Sequence, residues 1–143
     1  RGPATGMCML GRLITSQFIS GRLLASPLVP AETRSGTKNC ISPGYVGMAL
    51  RVMSDFSKRV VFNDGFFVAV EGGYHSAGNG SNVADSSAAA FFAVAAAIAG
   101  RVKITGLELS CPQPDSEIFA TIASAGAEGV HDGGTNAVCR KTV

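Results

Sequence analysis

Residues 14–30 read ITSQFISGRLLASPLVP, and this stretch predicts the first helix of the chain. Its apolar residues are spaced as on one face of a helix, namely Phe18, Ile19, Leu23, Leu24 and Leu28. Thr15 or Ser16 can cap the start of this helix, because their hydroxyls can accept a hydrogen bond from a first-turn amide. Pro30 stops the helix, which we therefore expect over Ser16–Val29.

The segments after this helix predict a strand, a second helix and a hairpin. Residues 32–41 are polar and rich in threonine and suit a short strand. Ser42 then offers an N-cap and Pro43 a first-turn residue for a helix over Tyr45–Phe56. The β-branched and aromatic runs 58–63 and 66–71 are joined by Asp-Gly, a pairing typical of tight hairpins.

The second half of the chain repeats this layout. The glycine-rich stretch 72–82, GGYHSAGNGSN, predicts a linker, and Asp85 can cap an alanine-rich helix that ends at Gly100. We then expect a strand over 101–109, a helix over 114–124 and a final strand over 136–142, with glycines interrupting the stretch between the last two. The sequence thus predicts an α/β (α+β) fold of two βαβαββ-type units.

Composition excludes several classes of protein. Of 143 residues, 46% are hydrophobic and 15% charged, which is unlike a disordered chain. A net charge of +2, with Lys and Arg scattered, does not indicate a nucleic-acid binder. The longest uncharged apolar stretch, between Asp85 and Arg101, is shorter than the ~20 residues of a spanning helix. Four separated cysteines indicate free thiols, with no disulfide framework and no structural zinc site.

The starts of the two helices in the first half carry the residues best suited to chemistry. Thr15, Ser16 and Gln17 place two hydroxyls and a carboxamide beside the unpaired amides of a helix N-terminus, which suits a phosphate or carboxylate. Ser42 and Tyr45 sit at the next helix start and can face the same anion. Ordinary N-capping remains the alternative interpretation of these hydroxyls.

Asp85 and Ser86 mark a third helix start, where capping is again the competing interpretation. A carboxylate just after a glycine-rich linker could instead bind a hydroxyl or a cationic residue across a hinge. We find no nucleophile elbow, phosphate-binding loop or dinucleotide fingerprint, so the residues alone indicate an anion site without a catalytic set.

Four stretches resemble successive segments of the 5-enolpyruvylshikimate-3-phosphate (EPSP) synthase family. They are ITSQFISGRLLASPLVP at 14–30, ISPGYVGMALRVM at 41–53, NVADSSAAAFFAVAAAIAGRVKITGL at 82–107 and CPQPDSEIFATIASAGAEG at 111–129. All four occur in the family's order and with nearly its spacing. The resemblance covers about residues 13–140, which is nearly the whole chain.

The resemblance implies a fold of two domains, each built from three βαβαββ units that close on substrate. It implies transfer of the enolpyruvyl group of phosphoenolpyruvate to the 5-hydroxyl of shikimate 3-phosphate, with release of phosphate and without a metal or organic cofactor. Glyphosate would compete at the phosphoenolpyruvate site. We expect no nucleic-acid or membrane partner, a cytoplasmic location (a plastid in a plant or alga), and self-association through uncovered apolar surface.

By position, the resemblance implies a substrate-binding role for six residues. Thr15 and Ser16 match hydroxyls that hold the shikimate phosphate, and Gln17 matches the glutamine near the shikimate ring. Ser42 matches a further phosphate ligand and Tyr45 a tyrosine of the same pocket. Asp85 matches the aspartate at the crossover between domains.

The resemblance also implies that this chain is the middle third of such an enzyme. Residues 1–74 would form the last unit of the N-terminal domain, 75–84 the crossover linker, and 85–143 the first unit of the C-terminal domain. The family's catalytic acid and base groups have no counterpart here. Three positions depart from its pattern: Pro43 replaces a lysine, Ala84 a glycine, and Arg22, which we expect to face solvent, a small apolar residue.

Two other functions stay open. One is a non-catalytic module that binds a phosphate or carboxylate ligand. The other is the related enzyme that transfers enolpyruvyl to UDP-N-acetylglucosamine, although the set Thr15, Ser16, Gln17, Ser42 and Tyr45 favours the shikimate enzyme.

Overall fold

The computed structural model of the chain describes residues 6–10, 15–37, 41–108, 111, 113–132 and 136–141. The chain divides into two compact units, Arg1–Gly80 and Ser81–Val143. The boundary falls inside the glycine-rich stretch that the sequence marks as a linker. Each unit has its own sheet and its own apolar core.

The first unit has the element order βαβαββ. Its elements are β1 (Gly6–Leu10), α1 (Ser16–Ala25, continued by a 3-10 turn at Ser26–Leu28), β2 (Thr33–Thr37), α2 (Gly44–Asp55), β3 (Val60–Asn63) and β4 (Phe66–Ala69). The helices, the strand between them and the hairpin confirm the sequence predictions. Strand β1 is an addition, because its pairing with β2 depends on a partner that lies beyond α1.

The four strands form one mixed sheet in the order β1-β2-β4-β3. Strand β1 runs parallel to β2, and the other two pairs are antiparallel. The hairpin β3–β4 turns at Asp64 and Gly65, whose φ angles of 50° and 82° are both left-handed. Two such residues in a two-residue turn match the twist of the flanking strands, which confirms the Asp-Gly prediction.

The core of the first unit lies between the two helices and the sheet. Fully or nearly fully buried side chains come from both helices, namely Ile19, Leu23, Val46 and Met53, and half-buried residues of the sheet pack against them. Helices α1 and α2 therefore cover the same face of the sheet, and both belong to the first unit.

The second unit repeats the last five elements of the first. Its elements are α3 (Ser86–Ala99), β5 (Arg101–Thr105), α4 (Glu117–Ser124, preceded by a 3-10 turn at Pro114–Ser116), β6 (Ala127–Asp132) and β7 (Asn136–Lys141). The sheet order β5-β7-β6, with antiparallel pairs, repeats the order β2-β4-β3 of the first unit. The repeated order of helices and strands confirms the predicted α/β fold of repeated units.

Helix α3 has no charged residue and is only partly covered. Its small residues Ala89, Ala93 and Ala96 are buried against the sheet and α4. Elsewhere on the helix surface Phe91 and Phe92 are 79% and 64% exposed. Among the described residues, no helix is long and apolar enough to cross a membrane.

One helix end and one strand differ from the sequence prediction. Helix α1 ends at Ala25 instead of Val29, because Pro27 lacks an amide hydrogen and turns the chain into a 3-10 turn. Strand β6 forms although Gly129 lies within it, because its antiparallel pairing with β7 outweighs the weak strand preference of glycine. The thiols of Cys8 and Cys111 are free, whereas Cys40 lies outside the described residues.

Candidate functional site

The starts of the two helices of the first unit are tied together. Thr15 is the N-cap residue of α1 and forms an isolated parallel β-bridge with Ile41. The amide of Ser16 donates to the carbonyl of Ile41 over 3.2 Å. Because Ile41 lies just before α2, this link places both helix starts at one end of the unit.

Ser42 does not cap α2, which corrects the sequence prediction. The N-cap position belongs to Pro43, and this helix start has no side-chain cap. Ser42 has a φ angle of 57°, because the chain must turn from the bridged Ile41 into the helix within two residues. Its carbonyl accepts from the amide of Tyr45 over 3.2 Å, which closes the turn. The Ser42 side chain is exposed.

The hydroxyl at the start of α1 also makes no capping hydrogen bond. Thr15 has the extended backbone of an N-cap, with φ −67° and ψ 153°, but its side chain accepts nothing from the first turn. Ordinary capping would have used this hydroxyl to satisfy an amide of the helix start. The capping interpretation is therefore not supported at α1 or at α2.

A pocket of about 500 Å³ lies at this end of the unit. Its lining residues are Thr15, Ser16, Gln17, Ser20, Ile41, Ser42, Tyr45 and Met48. The structure thus brings together five of the six residues singled out from the sequence. None of the lining side chains carries a formal charge, so the positive ends of two helix dipoles are the electrostatic feature that favours an anion here.

Three lining residues were missed in the sequence, and their chemistry is informative. The hydroxyl of Ser20 donates to the carbonyl of Tyr45 over 3.4 Å and so joins the two helices across the pocket. Ile41 and Met48 add apolar surface beside the hydroxyls. The helical spacing of Ser16 and Ser20, and of Tyr45 and Met48, is the signal that could have identified two of the three.

The sixth residue, Asp85, belongs to the second unit, and there its carboxylate caps α3. One carboxylate oxygen accepts from the amide of Ser87 over 2.9 Å. Capping, which was the competing interpretation of Asp85, is therefore observed.

A carboxamide holds the backbone on both sides of Asp85. The side-chain nitrogen of Gln113 donates to the carbonyl of Ala84 over 2.9 Å, and its oxygen accepts from the amide of Ser86 over 2.7 Å. The amide of Ala84 in turn donates to the carbonyl of Gly106 over 2.7 Å. These four hydrogen bonds, including the cap, fix the start of α3, and Gln113 is a further residue that sequence reasoning missed.

The described residues contain no cluster of three or more His, Cys, Asp or Glu side chains placed to hold a metal ion. The pocket is lined by neutral hydroxyl, carboxamide and phenol groups and by the backbone amides of two helix starts. Such a set can hold and orient an anionic ligand that carries further hydroxyls.

Comparison with known proteins places the chain in a family. The family model of EPSP synthase (3-phosphoshikimate 1-carboxyvinyltransferase) matches residues 8–141. A relative named 3-phosphoshikimate 1-carboxyvinyltransferase from Methanocorpusculum labreanum is 36% identical over 130 residues, which are 90% of this chain and 30% of the relative. The enzyme of that name from Photobacterium profundum is 34% identical over 119 residues, 80% of this chain and 28% of the relative.

A solved structure shows the same fold. EPSP synthase from Acinetobacter baumannii matches with a TM-score of 0.60 and 22% sequence identity, over 99% of this chain and 32% of that chain. This chain therefore spans about 30% of the length of the first relatives. With 36% identity to one relative and a family match over nearly all of its residues, the chain belongs to the EPSP synthase (3-phosphoshikimate 1-carboxyvinyltransferase) family.

Proposed function

We propose that this chain supplies the phosphate-binding part of a shikimate 3-phosphate site. The observation that carries the proposal is the pocket at the starts of α1 and α2, where the Thr15 and Ser42 side chains do not cap the helices. Hydroxyls that are not used for capping remain available to a ligand. The positive ends of two helices favour the dianionic phosphate in the same place.

Each residue then has a distinct role. Thr15, Ser16 and Ser42 donate hydrogen bonds to the phosphate oxygens. Gln17 contacts the hydroxyl-bearing ring, and Tyr45 lies along it. The apolar surface of the pocket suits the carbon skeleton of such a ring.

In the second unit, Asp85 would act at the crossover between domains. Its position is set by Gln113 and by its own capping hydrogen bond, so its carboxylate is held in one orientation. We retain the domain assignment of 1–74, 75–84 and 85–143 as part of this proposal.

The reaction proposed for the whole enzyme is 3-phosphoshikimate 1-carboxyvinyl transfer. The 5-hydroxyl of shikimate 3-phosphate attacks the enolpyruvyl carbon of phosphoenolpyruvate, a proton passes to the methylene carbon, and elimination then releases inorganic phosphate and restores the double bond. The residues described here bind and orient the acceptor. Proton transfer and stabilisation of the departing phosphate require charged groups that this pocket does not contain.

Several finer points belong to the same proposal. Phosphoenolpyruvate is the second substrate, glyphosate its competitor, and no cofactor takes part. We place the enzyme in the cytoplasm, or in a plastid in a plant or alga. Self-association would cover the exposed side chains of α3, chiefly Phe91, Phe92 and Ile98.

The test is a titration of the folded chain with shikimate 3-phosphate, followed by amide chemical shifts. Shifts should cluster at Ser16, Gln17 and Tyr45, and shikimate without phosphate should give much weaker binding. Ser16→Ala should lower the affinity about tenfold through the loss of one hydrogen bond to a charged group. Ser124→Ala removes an exposed hydroxyl of α4 and is the matched control.

The alternatives predict different outcomes. Tighter binding of UDP-N-acetylglucosamine than of shikimate 3-phosphate would transfer the assignment to the related enzyme. Binding of shikimate 3-phosphate without phosphate release from phosphoenolpyruvate supports the pocket and limits this chain to a binding role. The absence of shifts at millimolar shikimate 3-phosphate would contradict the proposed site.

A further inference from the structure

A second, smaller pocket in the first unit has a different chemistry. It measures about 270 Å³ and lies where α1 covers β1 and β2. Its polar lining residues are Cys8, Arg22, Ser26 and Thr33, and its apolar ones are Leu10, Ala25 and Val29. It shares no lining residue with the pocket at the helix starts. We refer to it below as the Arg22 pocket.

Arg22 is half-buried and hydrogen-bonds to the sheet, whereas the sequence predicts that it faces solvent. Its Nε donates to the hydroxyl of Ser35 over 2.8 Å, and one terminal nitrogen donates to the carbonyl of Gly6 over 3.2 Å. Both acceptors are neutral. Among the described side chains, no carboxylate forms an ion pair with this guanidinium and neutralises its charge.

Thr33 contributes a buried hydroxyl to the same pocket. Its residue is only 2% exposed, and its Oγ1 has no hydrogen-bond partner among the described residues. Thr33 and Ser35 are two apart on β2 and share one face of the sheet, so Thr33 lies on the side that Arg22 reaches. Because buried hydroxyls are almost always hydrogen-bonded, an unpartnered one that lines a pocket has a hydrogen bond to offer to what occupies that pocket.

The polar groups of the pocket are chiefly donors, apart from the Ser26 hydroxyl, which already donates its proton to the carbonyl of Leu23. A guanidinium donates only, a hydroxyl can donate, and a thiol is a weak donor. Such a wall favours a ligand that accepts hydrogen bonds and carries negative charge.

The nearby end of α1 would repel an anion if its carbonyls were bare, but two of them are occupied. The carbonyl of Leu23 accepts from the hydroxyl of Ser26 over 2.6 Å, and that of Leu24 accepts from the phenol of Tyr74 over 2.7 Å. These bonds reduce the negative potential at the helix end. The guanidinium of Arg22 is then the dominant charge at this pocket.

We propose that the Arg22 pocket binds a small oxyanion between the guanidinium of Arg22 and the hydroxyl of Thr33. The site is separate from the proposed shikimate 3-phosphate pocket. It is independent of the proposed function, because none of its lining residues belongs to the pocket at the helix starts. Inorganic phosphate is a suitable probe, since its size fits the pocket and its oxygens can accept hydrogen bonds from both Arg22 and Thr33.

The half-buried thiol of Cys8 reports occupancy directly, because it lines the pocket. The rate of its alkylation by iodoacetamide is measured on the Cys8 peptide by mass spectrometry. Phosphate at about ten times its dissociation constant should slow alkylation about tenfold, since only the unoccupied fraction reacts. Chloride at the same ionic strength should have little effect.

Two variants test the named contacts. Arg22→Met should weaken phosphate protection about tenfold or more, because it removes the charged donor. Thr33→Val has nearly the same shape as threonine, so it should fold normally and should weaken protection without changing the alkylation rate in chloride.

Ser16→Ala changes the other pocket and should leave the protection of Cys8 intact. Protection that is lost in Ser16→Ala but retained in Arg22→Met would assign the anion to the first pocket and overturn the proposal. Equal alkylation in phosphate and chloride would overturn it as well, because the pocket would then hold water only.

Discussion

The amide of Ser16 and the carbonyl of Ile41 lie 3.2 Å apart and are hydrogen-bonded. This contact joins the first turn of α1 to the residue that precedes the turn into α2. The bridge between Thr15 and Ile41 reinforces it. Backbone contacts therefore hold together the two helix starts that form the pocket. No ligand is needed to bring the two helices together.

Ser42 allows the ligand contact to be separated from backbone strain. Both Ser42→Ala and Ser42→Gly remove the hydroxyl, and we expect both to weaken binding of shikimate 3-phosphate by about tenfold. Only alanine retains a Cβ at the φ angle of 57°. Ser42→Gly should therefore be more stable than Ser42→Ala by about 1 kcal/mol.

Calorimetric titration and urea unfolding measure these two effects separately. Equal stability of the two variants would contradict the left-handed conformation of Ser42. Unchanged affinity in both variants would exclude its hydroxyl from the site.

Asp85→Ala should destabilise the second unit by about 1 kcal/mol, because the amide of Ser87 loses its cap. Asp85→Asn keeps an acceptor at the same place and should recover most of that stability. Urea unfolding of the two variants gives the comparison. If Asp85→Asn is as unstable as Asp85→Ala, the carboxylate charge and not the capping geometry stabilises the helix start.

Gln113→Leu should cost about 2 kcal/mol of unfolding free energy, because two partly buried backbone groups lose their hydrogen bonds. The effect should be local. Hydrogen exchange at the Ser86 amide should accelerate strongly, whereas amides of the first unit should be unaffected. Glu117→Gln, an exposed change in the neighbouring helix, is the control. Acceleration of exchange throughout the chain would contradict a local clamp.

Tyr74 should make stability depend on alkaline pH. Burial raises the pKa of its phenol above the ordinary value of 10.0, because the charged form is desolvated. The unfolded chain then loses this proton first, so the stabilising contribution is complete below pH 10 and decreases as the pH rises through the folded pKa.

The free energy of unfolding of the wild type should accordingly fall more steeply above pH 10 than that of Tyr74→Phe. At neutral pH, Tyr74→Phe should be less stable by about 1 kcal/mol, since the carbonyl of Leu24 loses a donor. Parallel alkaline curves for the two proteins would show that Tyr74 does not titrate in this range.

Much of the fold could be predicted because its signals are local. The Asp64-Gly65 turn needs two left-handed residues, and Asp85 caps the helix that follows it. Strand β1 could not be predicted in this way, because its parallel partner β2 lies on the far side of a helix. Its five residues carry no turn or capping signal of their own.

Five of the eight residues that line the pocket at the helix starts could be identified from the sequence, but their geometry could not. Serine before proline suggests an N-cap, yet the bridge at Ile41 forces Ser42 into a left-handed turn and moves the helix start to Gly44. Gln113 gave no signal, because its importance depends on a backbone segment that is distant in sequence. The sequence predicts that Arg22 faces solvent. Its two acceptors lie on β1 and β2, which are distant from it in sequence, so no local pattern indicates these contacts.

The strand order β1-β2-β4-β3 has a consequence for the rate at which the first unit folds. The hairpin β3–β4 closes through a two-residue turn and should form within about 1–10 μs. Strand β1 sits at the sheet edge, and its parallel pairing with β2 has to close a loop that contains the whole of α1. Such non-local contacts form late, after the main folding barrier, so substitutions in β1 should chiefly accelerate unfolding, whereas substitutions in the hairpin should slow folding.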